Sequence, residues 1–185
     1  MNKEQEVNIE EKKITFEYIV YKLNDLKNEF KIKDDSIFTK LRLQKLLFLI
    51  STVNATRNDK GLLDIFDNFY ALPYGPVERD IYDFIHDGDF KNITFDGNKC
   101  DVSKLNDSIF EFLSDKIKNL VTSSIDKLKE KGVIKEYLEM PVFDLVNITQ
   151  QWTIWTVCHS VAEMLDNGSE PMRTLDILDS HVKAY

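Results

Sequence analysis

The sequence contains few of the residues that build metal and redox sites. Its 185 residues include two cysteines, Cys100 and Cys158, and three histidines, His86, His159 and His181. The cysteines form no Cys-x-x-Cys pair and no two histidines lie four residues apart, so the spacing predicts no transition-metal site. We expect reduced thiols, no metal and no cofactor.

Long apolar segments are also lacking. The longest uninterrupted apolar run, Leu46 to Ile50, is far shorter than the roughly 20 residues that a membrane-spanning helix needs. The first eight residues are mostly charged or polar, without the apolar core of a secretion signal. These features argue against a membrane protein and predict a cytoplasmic one.

The chain has no excess of basic residues, because 24 Lys and Arg stand against 32 Asp and Glu and the formal net charge is −8. An acidic chain gains nothing from the phosphate electrostatics that drive non-specific nucleic-acid binding. Its charge does complement that of a basic protein. Nucleic acid is therefore a possible partner that the sequence does not indicate, whereas the charge favours a basic protein.

One segment combines basic and aromatic residues, which is a pattern found at nucleic-acid contacts. We expect instead that its aromatic rings pack inward while its cationic groups extend to solvent. The residues are Lys40, Arg42, Lys45 and Arg57, with Phe38 and Phe48.

Apolar residues recur at helical spacing over most of the chain. They predict helices over about 13–30, from a cap at 34–36 to about 53, and over 77–86, 105–128 and 152–165. A last short helix, started by residues 169–171, carries Leu175, Leu178 and Val182. Residues 92–102 predict a β-hairpin that turns at Asp96-Gly97. We expect a mainly α fold: a single compact helical domain over 13–185 with a small β-hairpin, after a flexible tail over 1–12.

The most specific feature is a corner within residues 69–82. An apolar run ends at Pro73 and turns through Tyr74, Gly75 and Pro76 into a short amphipathic helix that begins near Val77. Pro76 suits the first turn of a helix, where its missing N–H costs nothing, and Gly75 can adopt backbone angles closed to other residues. We expect the two prolines to stiffen the corner and to hold Tyr74 in a fixed direction.

Two segments together resemble the signature of the Panacea domain, a family of bacterial and phage proteins known mainly as antitoxins of toxin–antitoxin pairs. The first is the Leu-Gln-Lys-Leu-Leu-aromatic run at 43–48, and the second is the aromatic-x-Ala-x-x-Tyr-Gly-Pro-Val segment at 69–77. A third family element, Thr-His followed by Pro-Trp, has lost its His and Pro; its nearest match is Thr149-Gln150 with Trp152 and Trp155. The resemblance covers about residues 35–185. Its structural signature comprises Leu43, Gln44, Lys45, Leu46, Ala71, Pro73, Gly75, Pro76 and Val77.

The resemblance implies an antitoxin-like binding protein that neutralises a cognate toxin, encoded by an adjacent gene, by direct complex formation and without chemistry of its own. Two alternatives stay open. A phage or mobile-element adaptor or regulator would bind a host protein or promoter DNA. A hydrolase would use the acidic residues near the corner.

The candidate partner-binding residues are aromatic. Tyrosine is enriched among binding hot spots, and two tryptophans three residues apart on a helix share a face. They would form an aromatic patch if that face lies beside the corner, although large aromatic residues also commonly fill the core. The candidates are Tyr70, Tyr74, Tyr82, Trp152 and Trp155.

No catalytic residue is predicted. Asp64, Asp67, Glu78, Asp80 and Asp83 are grouped around the corner, and such charges are typical of a solvated helix face. The neighbouring residues at 158 and 159 are not a Cys–His dyad by themselves, because adjacent side chains on a helix point in different directions.

Overall fold

The computed structural model describes residues 3–34 and 37–180, and within these the fold is mainly helical. Small antiparallel sheets complete it, so the predicted fold class is confirmed. The helices are α1 (Lys3–Glu29), α2 (Lys40–Thr52), α3 (Arg79–Asp87), α4 (Asp115–Glu130), α5 (Ile134–Glu139), α6 (Val142–Gln150), α7 (Thr153–Leu165) and α8 (Thr174–Asp179). The strands are β1 (Phe69–Leu72), β2 (Gly75–Glu78), β3 (Thr94–Asp96), β4 (Lys99–Asp101) and β5 (Glu170–Pro171).

Helix α2 is the central element of the core. Every residue from Arg42 to Thr52 is buried, and the helix packs against α1, α4, α6 and β2. It begins later than predicted, because the hydroxyl of Thr39 accepts a hydrogen bond from the Arg42 N–H and so supplies the N-cap. Two residues of the predicted cap at 34–36, Asp35 and Ser36, lie outside the described residues.

The corner is a β-hairpin, so the prediction that Pro76 opens a helix is wrong. Strands β1 and β2 pair antiparallel with Ala71 opposite Pro76, and α3 begins only at Arg79, where the Glu78 carboxylate accepts from the Ile81 N–H as the N-cap. Strand β2 is at the edge of the sheet ordered β2-β1-β5, where a residue without an N–H can be accommodated. Gly75 has a φ of +87°, which confirms the predicted need for glycine.

The third strand of this sheet was also missed. Residues 169–171 were predicted to start the last helix, but Glu170–Pro171 forms β5, which pairs with Tyr70 and Ala71 of β1. Helix α8 therefore begins at Thr174, and Val182 of the predicted helix lies outside the described residues.

The predicted long helix from Leu105 is interrupted. Asn106 caps a short 3-10 turn at Asp107–Phe110, and Ser114 then caps α4, since its hydroxyl accepts from the Ile117 N–H. These two caps divide the segment into a 3-10 turn and a helix, although its apolar residues continue at helical spacing. At the other end of α4, Gly132 follows the C-cap with a φ of +74°, a backbone conformation that glycine adopts readily where a helix ends.

The predicted hairpin at 92–102 is confirmed as β3–β4. It is held against the start of α2, because the Lys40 N–H donates to the Asn98 carbonyl at 2.9 Å and the Cys100 N–H donates to the Phe38 carbonyl at 2.8 Å. These bonds supply the support that an isolated hairpin lacks.

Helix α1 runs through the segment predicted as a flexible tail. It begins at Lys3, while residues 1 and 2 lie outside the described part of the chain. The flexibility of residues 1–12 and a domain boundary at 12–13 therefore stay predictions. Across the described residues, no helix has both the length and the apolar character that crossing a bilayer requires.

Candidate functional site

The two signature segments meet side by side, with the glutamine of α2 bonded to the backbone of β2. The Gln44 carbonyl oxygen accepts from the Glu78 N–H at 2.9 Å, and its Nε2 donates to the Glu78 carbonyl at 3.3 Å. A side-chain amide thus satisfies both backbone groups of an edge-strand residue. This pairing fixes the β1–β2 hairpin to the central helix.

Lys45 makes the second connection between the segments. It is fully buried, and its ammonium group donates to the Pro76 carbonyl at 2.6 Å. Burial lowers the pKa of Lys45 to about 7, because removal from water disfavours the charged form. Arg42 is also buried and donates to the Tyr137 and Met140 carbonyls. The expectation that the cations of this segment extend to solvent is therefore wrong for these two residues.

Gly75 lies where Thr149 of α6 and Lys45 of α2 closely approach the hairpin. A Cβ atom on Gly75 would be 2.7 Å from Thr149 Oγ1 and 3.2 Å from Lys45 Nζ. Thr149 is fully buried and donates to the Val146 carbonyl at 2.8 Å. Glycine at position 75, lysine at 45 and threonine at 149 are therefore matched to one another in size.

The degraded third element still supports the hairpin despite its missing His and Pro. The Gln150 amide donates to the Pro73 carbonyl at 2.9 Å, and the Trp155 indole N–H donates to the Leu72 carbonyl at 3.1 Å. These bonds come from α6 and α7 and reach two consecutive residues where β1 ends and the hairpin turn begins. The element therefore supports the hairpin turn in this chain.

The buried lysine predicts a specific pH dependence of stability. Because the folded-state pKa of Lys45 lies below its unfolded value, the unfolded chain binds more protons between about pH 7 and pH 10.5. The stability of the wild type relative to Lys45→Met should therefore rise with pH in that window, by up to about 1.4 kcal/mol per pH unit. Urea unfolding of both proteins at several pH values measures this. A constant difference would show that Lys45 keeps an ordinary pKa.

A cluster of charged residues ties α1 to the same hairpin. The Lys12 ammonium lies 2.8 Å from Glu78 Oε1, 2.6 Å from Asp80 Oδ2 and 3.0 Å from Asp67 Oδ1. Glu78 is completely buried, whereas Asp67 and Asp80 reach solvent. A solvated helix face is therefore the wrong interpretation for Glu78, although Asp64 and Asp83 do form surface pairs with Lys60 and Arg79.

The two charges of the Lys12–Glu78 pair support each other. Burial raises the pKa of Glu78, and the Lys12 ammonium and the Ile81 N–H oppose that rise. Burial alone would lower the pKa of Lys12, but the attraction of Glu78 and the bonds from all three carboxylates hold it above its ordinary value. The three carboxylates lie close enough to share a cation, and the ammonium of Lys12 lies among them.

The five candidate partner-binding residues lie in different environments. Tyr74 is 60% exposed in the hairpin turn, and its ring meets that of Phe143 on α6 edge-on at 6.0 Å. Tyr82, on α3, is 45% exposed and lines a cavity of about 320 Å³ with Lys40 and His86. Partner contact by any of them stays a prediction.

The other three candidates are less exposed. Tyr70 is half-buried in β1, and Trp152 is half-buried with its ring edge-on to Phe48 at 5.1 Å. Trp155 does lie beside the corner, as the aromatic patch requires, but it is 9% exposed and stacks on His159 at 4.8 Å. The tryptophans mainly support the hairpin and the core.

Comparison with known families identifies the chain. The family model described as antitoxin SocA-like, Panacea domain, matches residues 43–156, which is more than half of the chain. The chain belongs to this family. No curated protein and no solved structure matches it.

The matched Panacea segment (residues 43–156) contains most of the site but not all of it. It includes Gln44, Lys45, Gly75 and Thr149, whereas Lys12 comes from α1, before the segment. Most of α7, all of β5 and all of α8 follow it. The β1–β2 hairpin is therefore held by α2 and α6 from within the segment, and by α1, α7 and β5, which lie wholly or mostly outside it.

Two residues of the site were missed by sequence reasoning. Phe143 is 59% exposed beside Tyr74, and its position as an apolar residue two places after Pro141, which precedes α6, could have indicated it. Lys12 precedes Phe16 by four residues and so lies on the buried face of α1. That spacing could have indicated a buried lysine in need of a carboxylate.

Proposed function

We propose that this chain is an antitoxin that neutralises a cognate toxin, encoded beside it, by forming a direct protein complex in the cytoplasm. The observation that carries this proposal is the match of the antitoxin SocA-like Panacea domain to residues 43–156. The antitoxin acts by binding and needs no chemistry of its own. Its net charge of −8 suits a basic toxin, because opposite fields favour association.

The geometry supports a division between scaffold and contact surface within the signature. Gln44, Lys45 and Gly75 are buried and bonded internally, so they hold the hairpin in place. The turn that they hold presents Tyr74 beside Phe143, and both rings are exposed. We take this aromatic pair as the centre of the toxin contact, since a rigid support lets aromatic side chains bind with little loss of entropy.

Tyr74→Ala and Phe143→Ala should each weaken toxin binding at least tenfold, because truncating an aromatic hot spot costs about 2 kcal/mol or more. Thermal stability should change little, since both rings are largely exposed. Titration calorimetry with the purified toxin measures the effect. Phe112→Ala is the matched control, because Phe112 is 96% exposed and should leave affinity unchanged. If Tyr74→Ala and Phe143→Ala bind the toxin as tightly as Phe112→Ala and the wild type, the aromatic pair does not belong to the contact.

The proposal is tested by identifying what binds. The tagged chain is purified from its native host, and the co-eluting proteins are identified by mass spectrometry. A stoichiometric partner from the adjacent gene, toxic when expressed alone, is the expected result. A host protein encoded elsewhere, or no co-eluting protein at all, would contradict the antitoxin role and favour an adaptor or regulator.

A further inference from the structure

Helix α7 carries a second apolar face that points away from the core. Its inward residues include Trp155 and Ala162, which are buried. The outward apolar residues lie at helical spacing within about 100° of the helix circumference. They are Val157 (59% exposed), Val161 (38%), Met164 (78%) and Leu165 (63%). We call these four residues the α7 stripe.

Such a stripe needs an explanation, because apolar residues at consecutive helical positions are not the scattered single residues that normal surfaces expose. The stripe begins one residue after the Panacea segment ends at Thr156. It therefore belongs to the part of the chain that the family model does not describe. That position suits a surface for a partner specific to this chain.

The charges around the stripe indicate what kind of partner fits it. Residues 153–180 contain five carboxylates and one arginine, Arg173, and no lysine. Arg57 neutralises Asp179, but Glu163 and Asp166 are exposed at the end of α7. The last turn of α7 has no basic residue, so the partial negative charge of the helix dipole at that end is not offset by a cation on the helix.

We propose that the α7 stripe is the docking surface for a basic amphipathic helix of the toxin, an inference that rests on the proposed antitoxin function. The apolar side of that helix covers Val157, Val161 and Met164, because their spacing forms a ridge into which a second helix packs. Its lysines and arginines lie next to Glu163 and the carboxyl end of α7. Since the stripe spans residues 157–165 of α7, the contact is about 13 Å long.

Direct binding of synthetic helices to the full chain tests the proposal independently of the toxin. One peptide of about three turns has a leucine face and a lysine face, and the second has glutamate in place of lysine. Fluorescence anisotropy should show that the lysine peptide binds at least tenfold more tightly than the glutamate peptide. High salt should reduce this preference, because it screens the exposed charges.

Substitutions in the stripe show whether the binding is local. The double variant Val157→Lys with Met164→Lys should bind the lysine peptide at least tenfold more weakly, whereas Phe112→Lys, also an exposed apolar site, should bind it like the wild type. Val157→Ser with Met164→Ser repeats the test without added charge. Unchanged melting temperatures would show that all variants fold.

Three results would overturn the proposal. Equal affinity of the wild type and both double variants for the lysine peptide would remove the stripe from the contact. Equal affinity of the two peptides would show that the charges around the stripe do not select a basic helix. Light scattering that shows a dimer of the wild type and a monomer of the double variants would assign the stripe to a second copy of this chain.

The same variants separate this inference from the antitoxin function. If the captured toxin binds the wild type and the double variants equally, the stripe proposal fails and the antitoxin proposal stands. If no toxin is neutralised but the lysine peptide still requires the stripe, the antitoxin proposal fails and the stripe remains a site for a basic helix.

Discussion

Gly75→Ala is expected to lower the free energy of unfolding by about 2–5 kcal/mol. Part of the loss comes from the φ of +87°, which is strained for any residue with a Cβ. The remainder comes from overlap, because the new Cβ would be 2.7 Å from Thr149 Oγ1 and 3.2 Å from Lys45 Nζ. Thermal and urea unfolding measure the change, and the melting temperature should fall by roughly 5–15 °C.

Gly88→Ala is the matched control for this effect. Gly88 also has a positive φ, +69°, but a Cβ there would meet no atom within 4 Å. Its substitution should cost only about 1–2 kcal/mol. Adding Thr149→Ala to Gly75→Ala should restore part of the stability, because it removes the closest atom. Equal losses for Gly75→Ala and Gly88→Ala would contradict the tight packing at the hairpin.

Lys12→Met is expected to lower the free energy of unfolding by about 3–5 kcal/mol, because it leaves the carboxylate of Glu78 buried without its cation. The loss should become smaller as the pH falls toward 7, because burial raises the pKa of Glu78 and Lys12→Met removes the ammonium that opposes the rise, so the carboxyl takes up a proton instead of remaining charged. Urea unfolding at several pH values measures both effects. At alkaline pH, where Glu78 stays charged, the melting temperature should fall by roughly 6–20 °C.

Two further variants show whether the loss comes from the buried charge. Glu78→Gln in the Lys12→Met background should restore much of the stability, because a neutral amide replaces the unpaired carboxylate. Lys91→Met, which breaks an exposed pair with Glu10, should leave stability almost unchanged. A loss with Lys12→Met that is small and independent of pH would mean that solvent reaches Glu78.

The helices could be predicted from the sequence because their apolar residues repeat at a period that the sequence displays directly. The β1–β2 hairpin could not, because its register depends on partners far along the chain. Gln44 completes the backbone bonding of Glu78 from α2, and β5 arrives about 100 residues after Tyr70. When only the local sequence is considered, a proline followed by the acidic residues Glu78 and Asp80 is typical of the first turn of a helix, which is why a helix start was predicted at Pro76.

The candidate site was predicted in part for a related reason. The exposed turn with Tyr74 was indicated by local chemistry, namely the positive φ required at Gly75. The burial of Lys45 and of Glu78 depends on the packing of α1 and α6 against the hairpin, and these helices are distant from it in the sequence. Likewise, the period of α7 reveals apolar residues but not which of them face the core, so the exposure of Met164 required the structure.

Co-expression of this chain with the product of the adjacent gene tests the central claim most directly. If the chain neutralises a toxin by binding it, the cells must grow and the two proteins must form a complex. Growth arrest by the neighbour alone, rescue by the wild-type chain, and a stoichiometric complex on size exclusion are the predicted results. Tyr74→Ala should rescue less well than Phe112→Ala at equal expression. Rescue without a complex, or a neighbour that is harmless when expressed alone, would contradict the antitoxin function.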